Sequence, residues 1–405
     1  YRAILRDADR EDLETRGVDS DVLLDGTFVR GKEVFYNVGL RYRGDNSRDF
    51  AVKAFRIDFP HDQPFEGITH LNVNALDNHL ADLAADFIRR AGVPVFQTRP
   101  VAYTLNNAWQ TKHGGLYLRV EAVDDELLAR VFPGDDEGNL YHGRDPSGPG
   151  EADLKYLGPN PASYADFYEK KTNTEQDDYS DVIALTDAFT NTPDQDFEAV
   201  MEGLLDVDEW LRFFAVETIL NNQDGAIATD TGEDYLMYHR LSDGKWVVLP
   251  WDQNENFQDP TAGIFRMGIA GVRRLVLHPA FVGRYFQRVL SLLDGPFQTE
   301  PMTLRIDAAR SVYGASLLDP MASFVPARQD AIRDLIPDRL TAGVEPLYLV
   351  RTGDNWRYFK GTREPSGGTT TWTGVSFDDT SWPEGPGGFG YGDGDDRTTL
   401  ADMEG

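Results

Sequence analysis

Asp206-Val-Asp-Glu-Trp-Leu-Arg-Phe-Phe-Ala-Val-Glu-Thr-Ile-Leu220, followed by Asn221-Asn-Gln-Asp-Gly225, decides the fold. Asp206 with Glu209 three positions on forms a capping-box signature for a helix start. From Trp210 to Leu220 apolar residues run almost all the way round the helix, so the spacing predicts a buried helix. The polar cluster closed by Gly225 ends it. Tyr235 to Arg240 and Lys245 to Pro250 flank Asp243-Gly244, the signature of a β-hairpin. The second strand opens into Trp251-Asp-Gln-Asn-Glu-Asn-Phe257. One carboxylate, Asp224, therefore follows a buried helix, and another, Asp252, follows a buried strand.

That layout suits phosphoryl transfer, in which one Asp orients or deprotonates the acceptor hydroxyl and another holds a metal ion against nucleotide phosphates. The plain alternative is that both are helix-end and turn residues.

With 405 residues, 40% of them hydrophobic, the chain can bury a substantial core in two or three domains. It has no apolar run of membrane-spanning length. It opens at Tyr1 rather than Met, so a preceding segment is expected. The absence of cysteine rules out disulfides, thiol nucleophiles and thiolate metal sites. A formal charge of −29 argues against a nucleic-acid polymer and an anionic membrane as partners. Against that background the cluster Arg41, Arg43, Arg48, Lys53 and Arg56 stands out. The seven histidines show neither His-x3-His nor Glu-x2-His spacing, which argues against a zinc site. No Gly-x-Ser-x-Gly elbow is present. Carboxylates are numerous enough for a glycosidase, but that reading leaves the arginine cluster without a task.

Residues 1 to 40 read as short strands of a small sheet. Arg41 and Arg43 then share one face of a period-2 strand. A second strand is expected from Ala51 to Phe59, a helix from His79 to Arg90, a strand from Leu116 to Val120 and a helix from Asp124 to Val131. Asn72 and Asn74 interrupt an apolar strand, which calls for partners for their amides. Residues 133 to 180, rich in Pro, Gly, Asp and Asn, read as an insertion or lid. Helices are expected at 180–189, 196–204, 280–293, 302–315 and 325–335, with a mixed loop at 260–274. From Tyr348, turn residues and spaced aromatics (Trp372, Trp382, Gly385 to Gly394) indicate β structure.

Asn222-Gln-Asp224, the hairpin and Pro250-Trp-Asp252 resemble the core of the CotH-type spore-coat protein kinases, an atypical branch of the kinase fold. Four further stretches agree in order: Arg43 to Arg56, Leu71 to Leu76, Ala91-Gly-Val-Pro94 and Gly115 to Asp124. The resemblance covers roughly residues 30 to 340. It implies an α+β, atypical bilobal kinase-like fold, with a β-rich N-lobe (1–120) and an α-rich C-lobe (121–343). Residues 344–405 resemble the opening strands of a galactose-binding-like β-sandwich, too short to complete one, so the protein is expected to continue.

The same resemblance implies ATP with Mg²⁺ or Mn²⁺ as cofactors and a protein hydroxyl as acceptor. Asp224 is then the catalytic base. Asp252, Asp234 and Asn254 become metal ligands. Lys53 becomes the ATP-contacting lysine, Glu121 its acidic partner, and Arg43, Ser47 and Arg56 further nucleotide contacts. An extracellular or cell-surface bacterial setting follows by analogy, with carbohydrate contact through the C-terminal module. Two departures are visible. Leu80, Ala81 and Asp82 stand where the family carries basic residues, which leaves any phosphate contact from that turn in doubt. Asp234 and Asn254 exchange the acid and amide of the family pattern. Two other readings stay open: a different ATP-dependent modification such as adenylylation or glutamylation, and a non-catalytic surface or adhesion protein with a degenerate kinase fold.

Overall fold

The structure, a computed structural model, describes residues 1–44, 46–109, 115–144, 151–225, 228–229, 232–265, 267–337, 354–366, 370–391 and 396–403. It divides into two compact units, Tyr1–Val344 and Glu345–Gly405.

The first part of the larger unit is β-rich. It comprises β1 (Arg2–Leu5), α1 (Asp7–Thr15), β2 (Leu24–Arg30), β3 (Glu33–Arg43), β4 (Ala54–Asp58) and β5 (His70–Asn74). Then follow α2 (Asn78–Arg90), β6 (Thr98–Ala102), β7 (Thr104–Leu105), β8 (Ala108–Trp109) and β9 (Leu116–Val120). The strands form one sheet in the order β6-β9-β5-β4-β3-β2-β1-β7-β8. Period-2 alternation sorts its central residues. Leu40, Phe55, Ile57, Leu71 and Val73 are buried on one face with Phe28 and Tyr117. Arg41 opposes Arg56, and Arg56 opposes Asn72, so Arg41, Arg43, Arg56, Asn72 and Asn74 line the other face. The same face carries Leu118 and Val120, which pack into the second core with Leu83, Ala84, Phe87 and Ile88 of α2. The arginine-bearing face is thus turned toward the second half of the unit.

That half is α-rich: α3 (Asp125–Val131), β10 (Asn139–Gly143), β11 (Tyr168–Lys170), α4 (Ser180–Asn191), α5 (Asp194–Leu204), α6 (Val207–Leu220), β12 (Tyr235–His239) and β13 (Trp246–Pro250). After these come α7 (Ala270–Leu277), α8 (Val282–Leu293), α9 (Thr299–Tyr313) and α10 (Ala315–Leu335). Helix α6 is the expected buried helix and packs against α8 and β13. Its capping box forms by half. Asp206 accepts from Glu209 N at 3.2 Å, but Asp206 N donates to Trp246 O instead of to the Glu209 side chain.

Four expectations are corrected. Residues 7–15 are a helix rather than strand. Only Leu13 of α1 is buried, so no apolar period announces it. Residues 133–180 are not a lid throughout. Strands β10 and β11 complete a four-stranded sheet, β11-β10-β12-β13, and Tyr141, Tyr164 and Tyr168 are fully buried. The stretch 260–274 contains most of α7, with Val272 buried and Leu275 and Val276 just beyond. The gap expected between the last two helices is bridged, since α10 runs through Pro320 and Pro326. Packing overrides the proline penalty: Leu318, Met321, Phe324 and Val325 are buried. Buried Arg328 also ties α10 to the end of α6, donating to Thr218 O at 2.7 Å and to Pro260 O at 3.0 Å.

The smaller unit has β14 (Asn355–Arg357) antiparallel to β15 (Glu384–Pro386), and β16 (Phe389–Gly390) parallel to β17 (Thr398–Thr399). Among the described residues no helix is long and apolar enough to cross a membrane.

Candidate active site

The end of α6 and the loop after β13 are laced together. Asn221 takes a left-handed conformation (φ 51°), is fully buried, and its Oδ1 accepts from Asp259 N at 2.7 Å. Gln223 N donates to Glu255 O (3.0 Å) and Phe257 N to Leu220 O (2.7 Å). Buried Asn222 accepts from Asp224 N at 3.2 Å and donates to Asp252 O at 3.4 Å. A Cβ at Gly225 would come 2.5 Å from Glu217 Oε2 and 2.8 Å from Asn222 Nδ2, so both buried side chains would have to shift to admit one. The turn is therefore rigid, while the Asp224 side chain at its tip is exposed.

Asp252 also sits in left-handed backbone (φ 33°), as does Asp234 (φ 52°). Such conformations are uncommon away from glycine and gather at functional sites. Burial pushes the Asp252 carboxyl up to about 6, the charges of Asp224 and Glu255 push the same way, and Arg43 opposes them. Carboxylate oxygens of Asp224, Glu233 and Asp234 lie within 4.8 Å of one another. Asn254 Oδ1 is shut off from solvent with no hydrogen-bond partner among the described residues. The converging carboxylates of Asp224, Glu233 and Asp234 form a donor set for a hard divalent cation, whereas Asp252, expected as a ligand, is not one of that group. The residues fit such an ion.

From the β-rich half, Arg43 donates to Asn74 Oδ1, the partner the interrupted strand called for. Burial brings the Arg43 guanidinium down to about 10, while Asp252 acts to raise it. The rest of the basic cluster is largely neutralised by nearby carboxylates. Arg41 and Arg48 pair with Asp21 (2.8 and 2.7 Å), and Arg56 binds Asp58 (2.7 Å) and approaches His70 Nδ1 (3.0 Å). The expected Lys53–Glu121 pair does not form. Lys53 precedes β4 rather than lying within it, donates to Arg48 O and stands 5.5 Å from the Tyr42 ring. Glu121 is held by Arg130 of α3 at 2.5 Å and by Gln97 N at 2.8 Å. The Ser47 side chain lies outside the described residues.

Two residues near the site escaped the sequence. Glu233 joins the carboxylate cluster, and the adjacent acids Glu233-Asp234 before a strand were the available signal. His142 lies 4.0 Å from Asp234 through strand register alone, which local spacing cannot reveal.

A β-rich and an α-rich half, with acidic residues gathered where a buried helix and a buried strand end, have the layout of a kinase-like protein. The chain belongs to the family described as CotH kinase protein, which it matches over residues 40–319, and its function is accordingly of kinase type. It is similar to the inner spore coat protein H of Bacillus subtilis (strain 168), 29% identical over 230 residues, 53% of this chain and 58% of that protein. The match thus spans less than two thirds of that relative's length. Among solved structures it is similar to the Helicobacter pylori proinflammatory kinase CtkA, with 10% identity, a TM-score of 0.36, and coverage of 71% of this chain and 94% of that one. It is also similar to a chain of the Shewanella oneidensis toxin–antitoxin HipA, HipB and operator DNA complex, with 10% identity, a TM-score of 0.33, and coverage of 83% and 75%.

Proposed function

We propose that the chain transfers the γ-phosphoryl group of ATP, with Mg²⁺ or Mn²⁺, to a Ser or Thr hydroxyl of a secreted or surface protein. The observation that carries this reading is the position of Asp224, which interacts with Asp252 and clusters with Glu233 and Asp234. Asp224 accepts the proton of the acceptor hydroxyl. The acceptor oxygen bonds to the γ-phosphorus as the bond to the β,γ-bridging oxygen breaks, and ADP leaves. Asp252, Asn254, Asp234 and Glu233 hold the cation, which when bound spreads the charge of the phosphates. Arg43 offsets the charge of Asp252 from the opposite half. Lys53, on the connection between β3 and β4, is the proposed contact to the nucleotide phosphates. The name of the Bacillus subtilis relative supports a coat or surface setting.

The test is incubation with labelled ATP and Mn²⁺, followed by intact-mass measurement of the protein and of co-secreted candidates. Addition of one phosphate, lost in Asp224→Asn with ATP binding retained, is the expected result. Addition of AMP or of glutamate would replace phosphoryl transfer by the corresponding modification.

A further inference from the structure

One carboxylate inside the core touches both aspartate-bearing loops. Glu217, in the last turn of α6, is 2% exposed. Its Oε1 accepts from Gln253 Nε2 at 3.1 Å, and Gln253 directly follows Asp252. Its Oε2 lies against Gly225, which directly follows Asp224, in the space that a Cβ there would need. Gln253 is itself buried and passes the contact on. Its Nε2 also donates to Trp251 O at 2.9 Å, and Asn256 Nδ2 donates to Gln253 O at 2.9 Å and to Gln253 Oε1 at 3.0 Å. The carbonyls on either side of Asp252 are thus both held.

A carboxylate in a core helix is costly unless its oxygens are bonded, and a leucine of similar size would fill this place without that cost. What leucine would not supply is the acceptor for Gln253. Asp252 sits in left-handed backbone (φ 33°), a conformation that persists only where the surroundings impose it. The Gln253 amide imposes it, and Glu217 anchors that amide to α6. Because α6 also ends in the Asp224 turn, a single carboxylate refers both aspartates to one rigid helix. Resting on the function proposed above, we propose that Glu217 is a positioning residue that fixes Asp224 and Asp252 relative to each other for phosphoryl transfer. A misplacement of about 1 Å at a reacting centre costs about 100-fold in rate, so the effect falls on the transfer step.

Hydrogen exchange of the full chain, read by mass spectrometry, tests this coupling without any reaction. In Glu217→Leu the amides of 221–225 and 251–257 should exchange faster together, with those of β12 and α8 unchanged. Transfer from labelled ATP should fall by about 100-fold, while the KM for ATP moves far less. Glu217→Gln keeps an acceptor for Gln253 and should recover most of the protection and most of the rate. Unchanged exchange in either loop overturns the proposal, and so does faster exchange throughout α6 and α8, which marks general destabilisation. If Glu217→Leu does not fold, Gln253→Leu severs the same bond from the loop side, and unchanged exchange at 251–257 then overturns the proposal. Loosened loops with an undiminished rate overturn the positioning role and leave the proposed function standing. A wild type that transfers no phosphate overturns the proposed function, while joint loosening of the two loops still supports the tie through Glu217.

Discussion

Asp252 and Asp224 are loop aspartates of similar appearance in the sequence, and their surroundings separate them. Asp252 is half-buried, and its carboxyl is pushed up to about 6 by burial and neighbouring acids, so its ionised form needs a counter-charge. Asp252→Ala should leave the fold intact and abolish cation-dependent nucleotide binding. Calorimetric titration with ATP in Mg²⁺ checks this, and unchanged affinity would remove Asp252 from the cation site. Asp224 is exposed on a turn held by Asn221, Asn222 and Gly225, which suits a group that meets varied acceptors. A positioned base contributes about 10²–10⁴-fold in rate. Asp224→Asn should therefore slow transfer by that order while nucleotide affinity changes little. Equal rates, or loss of ATP binding, would assign the residue another role.

Helix α6 contains a polar group that its apolar pattern does not advertise. Glu209 in its first turn is only 8% exposed, and its Oε1 has no hydrogen-bond partner among the described residues, although Arg212 lies 3.0 Å from Oε2. Burial pushes this carboxyl up to about 7, with Arg212 opposing and Asp206 adding to the rise. A folded-state pKa above the unfolded one gives stability that is fully present below about pH 4.5 and is lost as pH rises through about 7. The difference corresponds to roughly 3 kcal/mol. Glu209→Gln should therefore raise the melting temperature at pH 8 and leave it nearly unchanged at pH 4.5. Equal shifts at both values would show that the carboxyl titrates normally. The sequence revealed α6, the hairpin and both carboxylate-bearing loops because each has a local signature: a cap, an Asp-Gly turn, an apolar run. It concealed α1, which buries only Leu13, and α7, whose helical period (Val272, Leu275, Val276) runs across the end of the stretch read as a loop. It also hid the partners of Lys53, Glu121 and His142, which depend on pairing across strands. Arg130 of α3 binds both Glu121 and the Val95 carbonyl, and no spacing in the chain records that contact.

At the scale of the whole molecule, 68 acidic residues against 39 basic ones give a net charge of −29, so any cation stabilises the chain to some degree. This general effect must be separated from the specific site. Monovalent salt acts by screening, and at about 0.15 M the Debye length is already about 8 Å, which removes most repulsion between distant surface charges. A divalent ion bound at the proposed site would act instead by mass action and add about 2.7 kcal/mol at a free concentration 100 times its dissociation constant. The two terms respond differently to one substitution. Raising NaCl from low millimolar to about 0.15 M should raise the melting temperature of the wild type and of Asp234→Asn alike, since one charge in a large excess changes little. At fixed ionic strength, millimolar Mn²⁺ should raise it further in the wild type only. If Asp234→Asn gains as much from Mn²⁺ as the wild type does, the ion is screening the surface, and Asp234 is not among its ligands.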